Sequence, residues 1–126
     1  MRFLLDTHLL LWWLSNSPLL SAQAAELIGD PANTIFVSAV SHWEVWLKSS
    51  IGKLRVPAGF GQRMVAESFV ELPLRTEHTS AVAALEWHHR DPFDRMLIAQ
   101  AIREDLVLLT ADKALRAYGQ SVRVAG

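Results

Sequence analysis

With 126 residues, the chain fits one domain covering residues 1–126, and its 51% apolar and 20% charged content excludes a disordered chain and favours a compact α/β fold. The net charge of −1 offers no general attraction for nucleic acid, so RNA or DNA binding would require a local basic patch or metal ions. The absence of cysteine excludes disulfides, thiolate nucleophiles and cysteine zinc sites, and a reducing cytoplasm is the expected location.

The apolar residues near the N-terminus do not predict a membrane segment. Asp6 and His8 interrupt them, whereas the apolar region of a secretory signal should carry no acid in its middle. The uninterrupted run over residues 9–14 is far shorter than the roughly 20 apolar residues that a membrane-spanning helix needs. We therefore expect no contact with a membrane.

Five short apolar runs predict β-strands, and the segments between them predict helices. The predicted strands are residues 3–5, 34–37, 69–72, 107–109 and 122–124. The predicted helices are residues 7–14, 22–28, 38–50, 62–68 and 76–87, a helix that begins at Pro92, and residues 113–118. Residues 52–61 are rich in glycine and proline and predict a loop. This alternation favours a single, mostly parallel, Rossmann-like sheet flanked by helices.

Acidic residues follow the predicted strands at one edge of this sheet. Asp6 comes directly after the first strand, and Asp112 comes just past the fourth. Glu44 lies within the first two turns of the helix that follows the second strand, and Asp94 starts the helix that precedes the fourth. Helix N-termini and the carboxyl ends of parallel strands open on the same edge, where open α/β sheets bind their ligands. We therefore expect these four side chains to meet.

A cluster of carboxylates predicts a bound cation, because like charges within about 4–6 Å disfavour one another's ionisation. Oxygen ligands without cysteine suit a hard ion, Mg²⁺ or Mn²⁺. Such an ion activates water and neutralises the charge that develops on a phosphate and its leaving oxygen. The pattern therefore indicates metal-dependent cleavage of phosphodiester bonds.

Each acid also has a simpler interpretation. Asp112 could be an N-cap, Asp94 could complement a helix dipole, and Glu44 with Ser41 forms the S-x-x-E pattern of a capping box. Asp91, one turn before Asp94, competes for the same role. Independent caps need not converge, whereas a metal site requires that they do.

The basic and histidine residues give weaker signals. The five histidines show no zinc-ligand pairing on one helix face and are expected on the solvated surface. Several basic residues could contact phosphate groups, and Arg95 is favoured because it adjoins Asp94. The other candidates are Lys48, Lys53, Arg55 and Arg90.

Four motifs together resemble the PIN-domain family, and within it the VapC-type toxins of type II toxin–antitoxin systems. They are DTH at residues 6–8, SAVSHWE at 38–44, HRDPFDR at 89–95 followed by an apolar helix, and LTAD at 109–112. No single motif is specific, but their order and spacing extend over nearly the whole chain.

This resemblance implies a Mg²⁺-dependent ribonuclease in which Asp6, Glu44, Asp94 and Asp112 form the acidic site, with Thr110 as the hydroxyl residue beside the last acid. Asp6 and Asp94 would be the most direct metal ligands, while Glu44 and Asp112 would complete the site or orient the attacking water. Mn²⁺ could replace Mg²⁺. The implied partners are the RNA substrate, a second copy in a homodimer, and an antitoxin whose C-terminal segment lies in an apolar groove and brings a basic side chain to the acids.

The tryptophans bear on such a partner surface. Helical spacing favours core positions for Trp12 and Trp43, but five tryptophans exceed what this core needs. Some are therefore expected at an interface, where aromatic anchors are enriched.

Two other functions remain open from the residues alone. One is a non-catalytic binding module, in which the acids only cap helices and the aromatic surface serves assembly. The other is a metal-dependent phosphatase of Rossmann-like topology. The phosphatase is disfavoured because His8 stands where haloacid-dehalogenase-type enzymes place a second acid, two residues after the first.

Overall fold

The computed structural model describes residues 1–126, which form a five-stranded sheet with the strand order β3-β2-β1-β4-β5. All neighbouring strands pair in parallel. The strands are β1 (Arg2–Leu5), β2 (Thr34–Ser38), β3 (Val70–Leu72), β4 (Val107–Thr110) and β5 (Val122–Val124). All five predicted strands are confirmed, and the sheet is wholly rather than mostly parallel.

The helices flank this sheet close to their predicted positions. They are α1 (Thr7–Leu14), α2 (Ala22–Gly29), α3 (Ala39–Ser50), α4 (Phe60–Ala66), α5 (Thr76–Ala83), α6 (Pro92–Arg103) and a 3₁₀ helix (Lys113–Ser121). Helix α5 ends at Ala83, well before the predicted end at residue 87. None of the helices is both long and apolar enough to cross a membrane.

The core lies on both faces of the sheet because successive strand side chains point to opposite sides. Phe3 and Leu5 of β1 pack with the buried residues of α1 and α2. Leu4, between them, packs on the other face with Leu97 and Ile98 of α6. These side chains are fully buried, and each contributes about 1.5–3 kcal/mol relative to an exposed position.

β1 is the central strand, at which the chain switches from building one side of the sheet to building the other. From β1 the chain adds β2 and β3 on one side, then returns to place β4 and β5 on the other. The backbone N–H of Asp6 donates to the carbonyl of Leu109 at 3.0 Å, so the carboxyl ends of β1 and β4 lie side by side. A ligand site is expected at this point of an open α/β sheet.

Candidate metal centre

Asp6 occupies the centre of the carboxyl edge and is 4% exposed. One carboxylate oxygen accepts from Leu9 N at 2.8 Å and caps α1, while the other accepts from the hydroxyl of Thr110. Thr110 Oγ1 also accepts from the backbone N–H of Asp112 at 3.1 Å. Burial raises the pKa of Asp6; the Thr110 hydrogen bond opposes this shift, and the charge of Glu44 adds to it. Thr110 thus fixes the first acid and links it to the last.

Glu44 is also 4% exposed, and only one of its oxygens has a partner, the ammonium of Lys48. The other oxygen, Oε1, is buried and accepts no hydrogen bond. Ser38 is the N-cap of α3, whereas Ser41 lies inside the helix, where its buried hydroxyl accepts from Thr7 Oγ1 at 3.0 Å. The capping box considered for Ser41 and Glu44 is therefore absent. A buried acceptor without a donor is rare and costly, and an oxygen in this state is suited to bind a cation.

Asp94 lies in the first turn of α6, and its Oδ2 contacts His89 Nε2 at 2.9 Å. Burial raises the pKa of Asp94 to about 6, and the charges of Asp91 and Asp6 act in the same direction. Asp91, the sequence competitor for this role, caps the helix instead: its Oδ1 accepts from Phe93 N at 2.9 Å and from Asp94 N at 3.0 Å. Asp94 is thus the acid that faces the other carboxylates.

Asp112 is exposed and combines two roles. Its Oδ1 accepts from Ala114 N at 2.9 Å, so it caps the 3₁₀ helix as the simpler interpretation anticipated. Candidate ligand atoms of His89, Asp94 and Asp112 also lie within 4.8 Å of one another. In addition, Asp6 and Asp112 line one cavity of about 280 Å³. Asp112 can therefore cap the 3₁₀ helix and still lie beside Asp6 and Asp94.

Asp94 and Asp112 lie close together, Asp6 lines a cavity with Asp112, and Glu44 is near enough to Asp6 for its charge to act on it, although Asp6 and Glu44 lie outside the closest group of ligand atoms. The donors at this edge fit a hard divalent cation. They are carboxylate oxygens, one of which is buried and unpaired on Glu44. Burial raises the pKa values of Asp6 and Asp94, and neighbouring carboxylates add to the shift, so both ionised carboxylates stand in an unfavourable environment. A cation of charge +2 would stabilise both ionised carboxylates.

Arg95 does not face this cluster. It is 4% exposed, and its guanidinium donates to oxygens of the protein interior rather than to solvent. The prediction that Arg95 contacts RNA is therefore wrong for the folded chain. Its acceptors are the carbonyls of Val82, Leu85, Glu86 and His89 and the hydroxyl of Tyr118. Lys48, the other predicted RNA contact, does lie at the site, beside Glu44.

Replacing Arg95 with lysine is expected to lower the free energy of unfolding by about 2 kcal/mol, because one ammonium cannot satisfy the acceptors that the planar guanidinium reaches. Urea denaturation of metal-free protein measures the change. Arg90→Lys, an exposed neighbour, serves as the matched control. Equal stability of the two variants would show that the Arg95 contacts contribute nothing.

Some histidines and tryptophans also differ from expectation. His78 is fully buried, not solvated: its Nδ1 accepts from Arg75 N at 2.9 Å and its Nε2 contacts Glu104 Oε1 at 2.9 Å. Trp43, predicted in the core, is 58% exposed and packs edge-on against Phe93. Trp12 is half-buried against the core.

His89 is the site residue that sequence reasoning missed. Its signal was positional: it lies just before the N-cap of α6, and therefore at the same edge as Asp94. The spacing of zinc ligands along one helix does not reveal a histidine that reaches that helix from the preceding loop.

A family model described as the PIN domain matches residues 3–120. The chain therefore belongs to the PIN-domain family. A curated relative, Ribonuclease VapC22 of Mycobacterium tuberculosis, is 30% identical over 118 residues, which cover 91% of this chain and 90% of the relative. Within the family, the chain is thus of the VapC type.

Solved structures support the same fold. VapBC2 from Rickettsia felis, bound to a promoter DNA fragment, has a TM-score of 0.71 at 15% identity, covering 99% of this chain and 98% of that chain. A toxin–antitoxin complex from Klebsiella pneumoniae has a TM-score of 0.68 at 18% identity, covering 96% and 95%. VapBC-5 from Mycobacterium tuberculosis has a TM-score of 0.60 at 18% identity, covering 98% and 96%.

Proposed function

We propose that this chain is one PIN domain over residues 1–126 and acts as a Mg²⁺-dependent endoribonuclease, the toxin of a type II toxin–antitoxin system. The proposal is carried by the buried oxygen of Glu44 that accepts no hydrogen bond, together with the grouping of Asp94, Asp112 and Asp6 at the same edge of the sheet. The relative named as a ribonuclease supports RNA as the substrate.

Asp6 and Asp94 are the proposed direct ligands of the ion, and Glu44 and Asp112 complete the site. Mg²⁺ uses few protein carboxylates and keeps positions for water and phosphate, and Mn²⁺ fits the same donors. When bound, the ion supplies Lewis-acid stabilisation of the phosphate and activation of water. Among these acids, only Asp112 is exposed, so it is suited to orient a water that enters from solvent.

Thr110 has a positioning role in this proposal. Its hydroxyl donates to Asp6 and accepts from the Asp112 backbone, so it holds Asp6 in one orientation. The second Asp6 oxygen is held by Leu9 N at the start of α1. Both hydrogen bonds form when the chain folds. The entropy of ordering the Asp6 side chain is therefore lost on folding and not when substrate binds.

The direct test is cleavage of a labelled RNA with Mg²⁺ and with excess EDTA. We expect cleavage with Mg²⁺ and none with EDTA. A small phosphate ester, such as para-nitrophenyl phosphate, is assayed in parallel. Hydrolysis of the ester without RNA cleavage would favour the phosphatase, and no hydrolysis of either would favour the non-catalytic binding module.

Lys48 is proposed to contact an RNA phosphate. The Lys48 ammonium pairs with Glu44, and that hydrogen bond raises the pKa of Lys48. A bound divalent ion would take over this charge compensation and release the ammonium for the substrate. Lys48→Met is therefore expected to bind Mn²⁺ more tightly and RNA more weakly.

The RNA effect of Lys48→Met is measured as a salt dependence. Loss of one phosphate contact should lower the slope of log affinity against log salt by about one. The exposed Lys53→Met variant is the matched control. If the salt slope of RNA binding and the Mn²⁺ affinity both equal those of wild type, Lys48 contacts neither the RNA nor the metal site.

The proposed partners are a cognate antitoxin and a second copy of the chain. Exposed apolar side chains of α3 and its C-cap, among them Trp43, Trp46 and Ile51, are suited to such contacts. The solved VapBC complexes support the antitoxin. We further propose a cytoplasmic location, where RNA is accessible. Co-purification with the product of the adjacent gene, and light scattering of the isolated chain, test the two assemblies.

A further inference from the structure

The segment 84–91, which joins α5 to α6, is irregular but firmly anchored by Arg95. The guanidinium Nη1 donates to Glu86 O at 2.9 Å and His89 O at 3.4 Å, and Nη2 donates to Leu85 O at 3.4 Å. The Trp87 ring covers the guanidinium, with Cζ 3.7 Å from the ring centroid. One buried cation thus holds both the start and the end of the segment.

A second element strengthens this anchor. The Tyr118 hydroxyl accepts from Arg95 at 3.2 Å and donates to Glu86 O at 2.9 Å. Arg95 follows Asp94 directly on α6, and consecutive helical side chains point in directions about 100° apart. Helix α6 therefore presents Asp94 to the other acids on one side. On another side it presents Arg95, which holds the segment 84–91 in place.

His89 is the residue of this segment that reaches the cluster. Its carbonyl is held by Arg95, and its imidazole Nε2 lies 2.9 Å from Asp94 Oδ2. When Asp94 is ionised, its carboxylate can only accept a hydrogen bond, so in that state Nε2 carries the proton and donates. A nitrogen that carries a proton is not available as a metal ligand.

We propose that His89 is a positioning residue for Asp94, set in place by the Arg95-anchored segment. By donating to Oδ2, it selects the rotation of the Asp94 carboxylate and directs Oδ1 toward the cation. This inference rests on the proposed function. His89 would thus belong to the site together with the acids and Thr110, because residues that hydrogen-bond to a metal ligand commonly orient it.

The first test measures Mn²⁺ affinity by electron paramagnetic resonance on protein without RNA. His89→Ala is expected to weaken binding by about tenfold, as loss of an outer partner of a metal ligand does. His89→Gln should restore most of the affinity, because its amide Nε2 donates at a similar reach. His88→Ala, a neighbouring exposed histidine that contacts Glu86, is the matched control and should bind like wild type.

The second test separates positioning from general damage. In His89→Ala the Mg²⁺ concentration for half-maximal RNA cleavage should rise about tenfold, while kcat at saturating Mg²⁺ stays near the wild-type value. Pulsed spectroscopy of bound Mn²⁺ in wild type should show no coupling to a directly bound imidazole nitrogen.

Three results would overturn the inference: wild-type Mn²⁺ affinity in His89→Ala, an equal loss in His89→Gln and His89→Ala, or a directly bound imidazole nitrogen. If His89→Ala does not fold, the His89→Gln titration and the spectrum of wild type still decide. Wild-type protein that binds Mn²⁺ but cleaves no RNA would contradict the proposed function. The Mn²⁺ titrations of the His89 variants would still test whether His89 positions Asp94.

Discussion

Asp6→Asn is expected to lower the rate of RNA cleavage by about 100-fold or more, because a metal ion contributes several kcal/mol of charge stabilisation and each 1.4 kcal/mol is a factor of ten. The amide keeps the shape of Asp6 and its acceptor for Leu9 N, but it removes the negative charge that holds the ion. Initial cleavage rates at saturating Mg²⁺ measure the effect.

The same substitution should leave the metal-free fold intact. Burial disfavours the ionised form of Asp6, so an uncharged amide relieves an unfavourable charge. The amide nitrogen cannot accept from the Thr110 hydroxyl, which offsets part of this gain, so the free energy of unfolding in EDTA is expected to stay within about 1 kcal/mol of wild type. Asp105→Asn, an exposed change at the far end of α6, is the control for activity. Retained cleavage in Asp6→Asn would remove Asp6 from the site.

Metal-free protein is expected to be more stable near pH 5 than near pH 7.5. Burial raises the folded-state pKa of Asp94 from 3.8 to about 6, so the folded chain binds this proton more tightly than the unfolded chain does. The resulting stability is fully present below pH 3.8 and is lost as the pH rises through about 6. The full shift corresponds to about 3 kcal/mol, but only about half of it has developed at pH 5, and the partial exposure of Asp94 reduces the expected gain between pH 7.5 and pH 5 to about 1 kcal/mol.

Urea denaturation in EDTA at the two pH values measures this change. Asp94→Asn should flatten the pH dependence, because it removes the titrating group. Excess Mg²⁺ should raise stability at pH 7.5 more than at pH 5, since a cation competes with the proton for the same carboxylate. Stability that is equal or higher at pH 7.5 in EDTA would contradict the raised pKa of Asp94.

The strands were predictable because a wholly parallel sheet is covered on both faces, and its strands are short continuous apolar runs. The end of α5 was not. Its apolar pattern continues to residue 87, but the carbonyls of Val82, Leu85 and Glu86 face the Arg95 guanidinium instead of continuing the helix. Hydrogen bonds from Arg95, a residue of the next helix, thus override the helix propensity of residues 84–87. The sequence of α5 itself contains no signal for this early end.

The acids were predictable for a topological reason, since strand ends and helix starts share one edge of a parallel sheet. The prediction for Arg95 is wrong because residues adjacent in sequence need not face the same way: Arg95 and Asp94 point to different sides of α6. Trp43 was misassigned because helical spacing identifies a face without showing what covers it; here α3 leaves Trp43 half exposed.

If Asp6, Glu44, Asp94 and Asp112 hold one cation between them, crystals soaked in Mn²⁺ should give an anomalous diffraction peak among these carboxylates. We expect the peak within about 2.0–2.3 Å of oxygens of Asp6 and Asp94. Electron density that shows no ion there at saturating Mn²⁺, with Glu44 Oε1 still unpaired, would contradict a shared cation site.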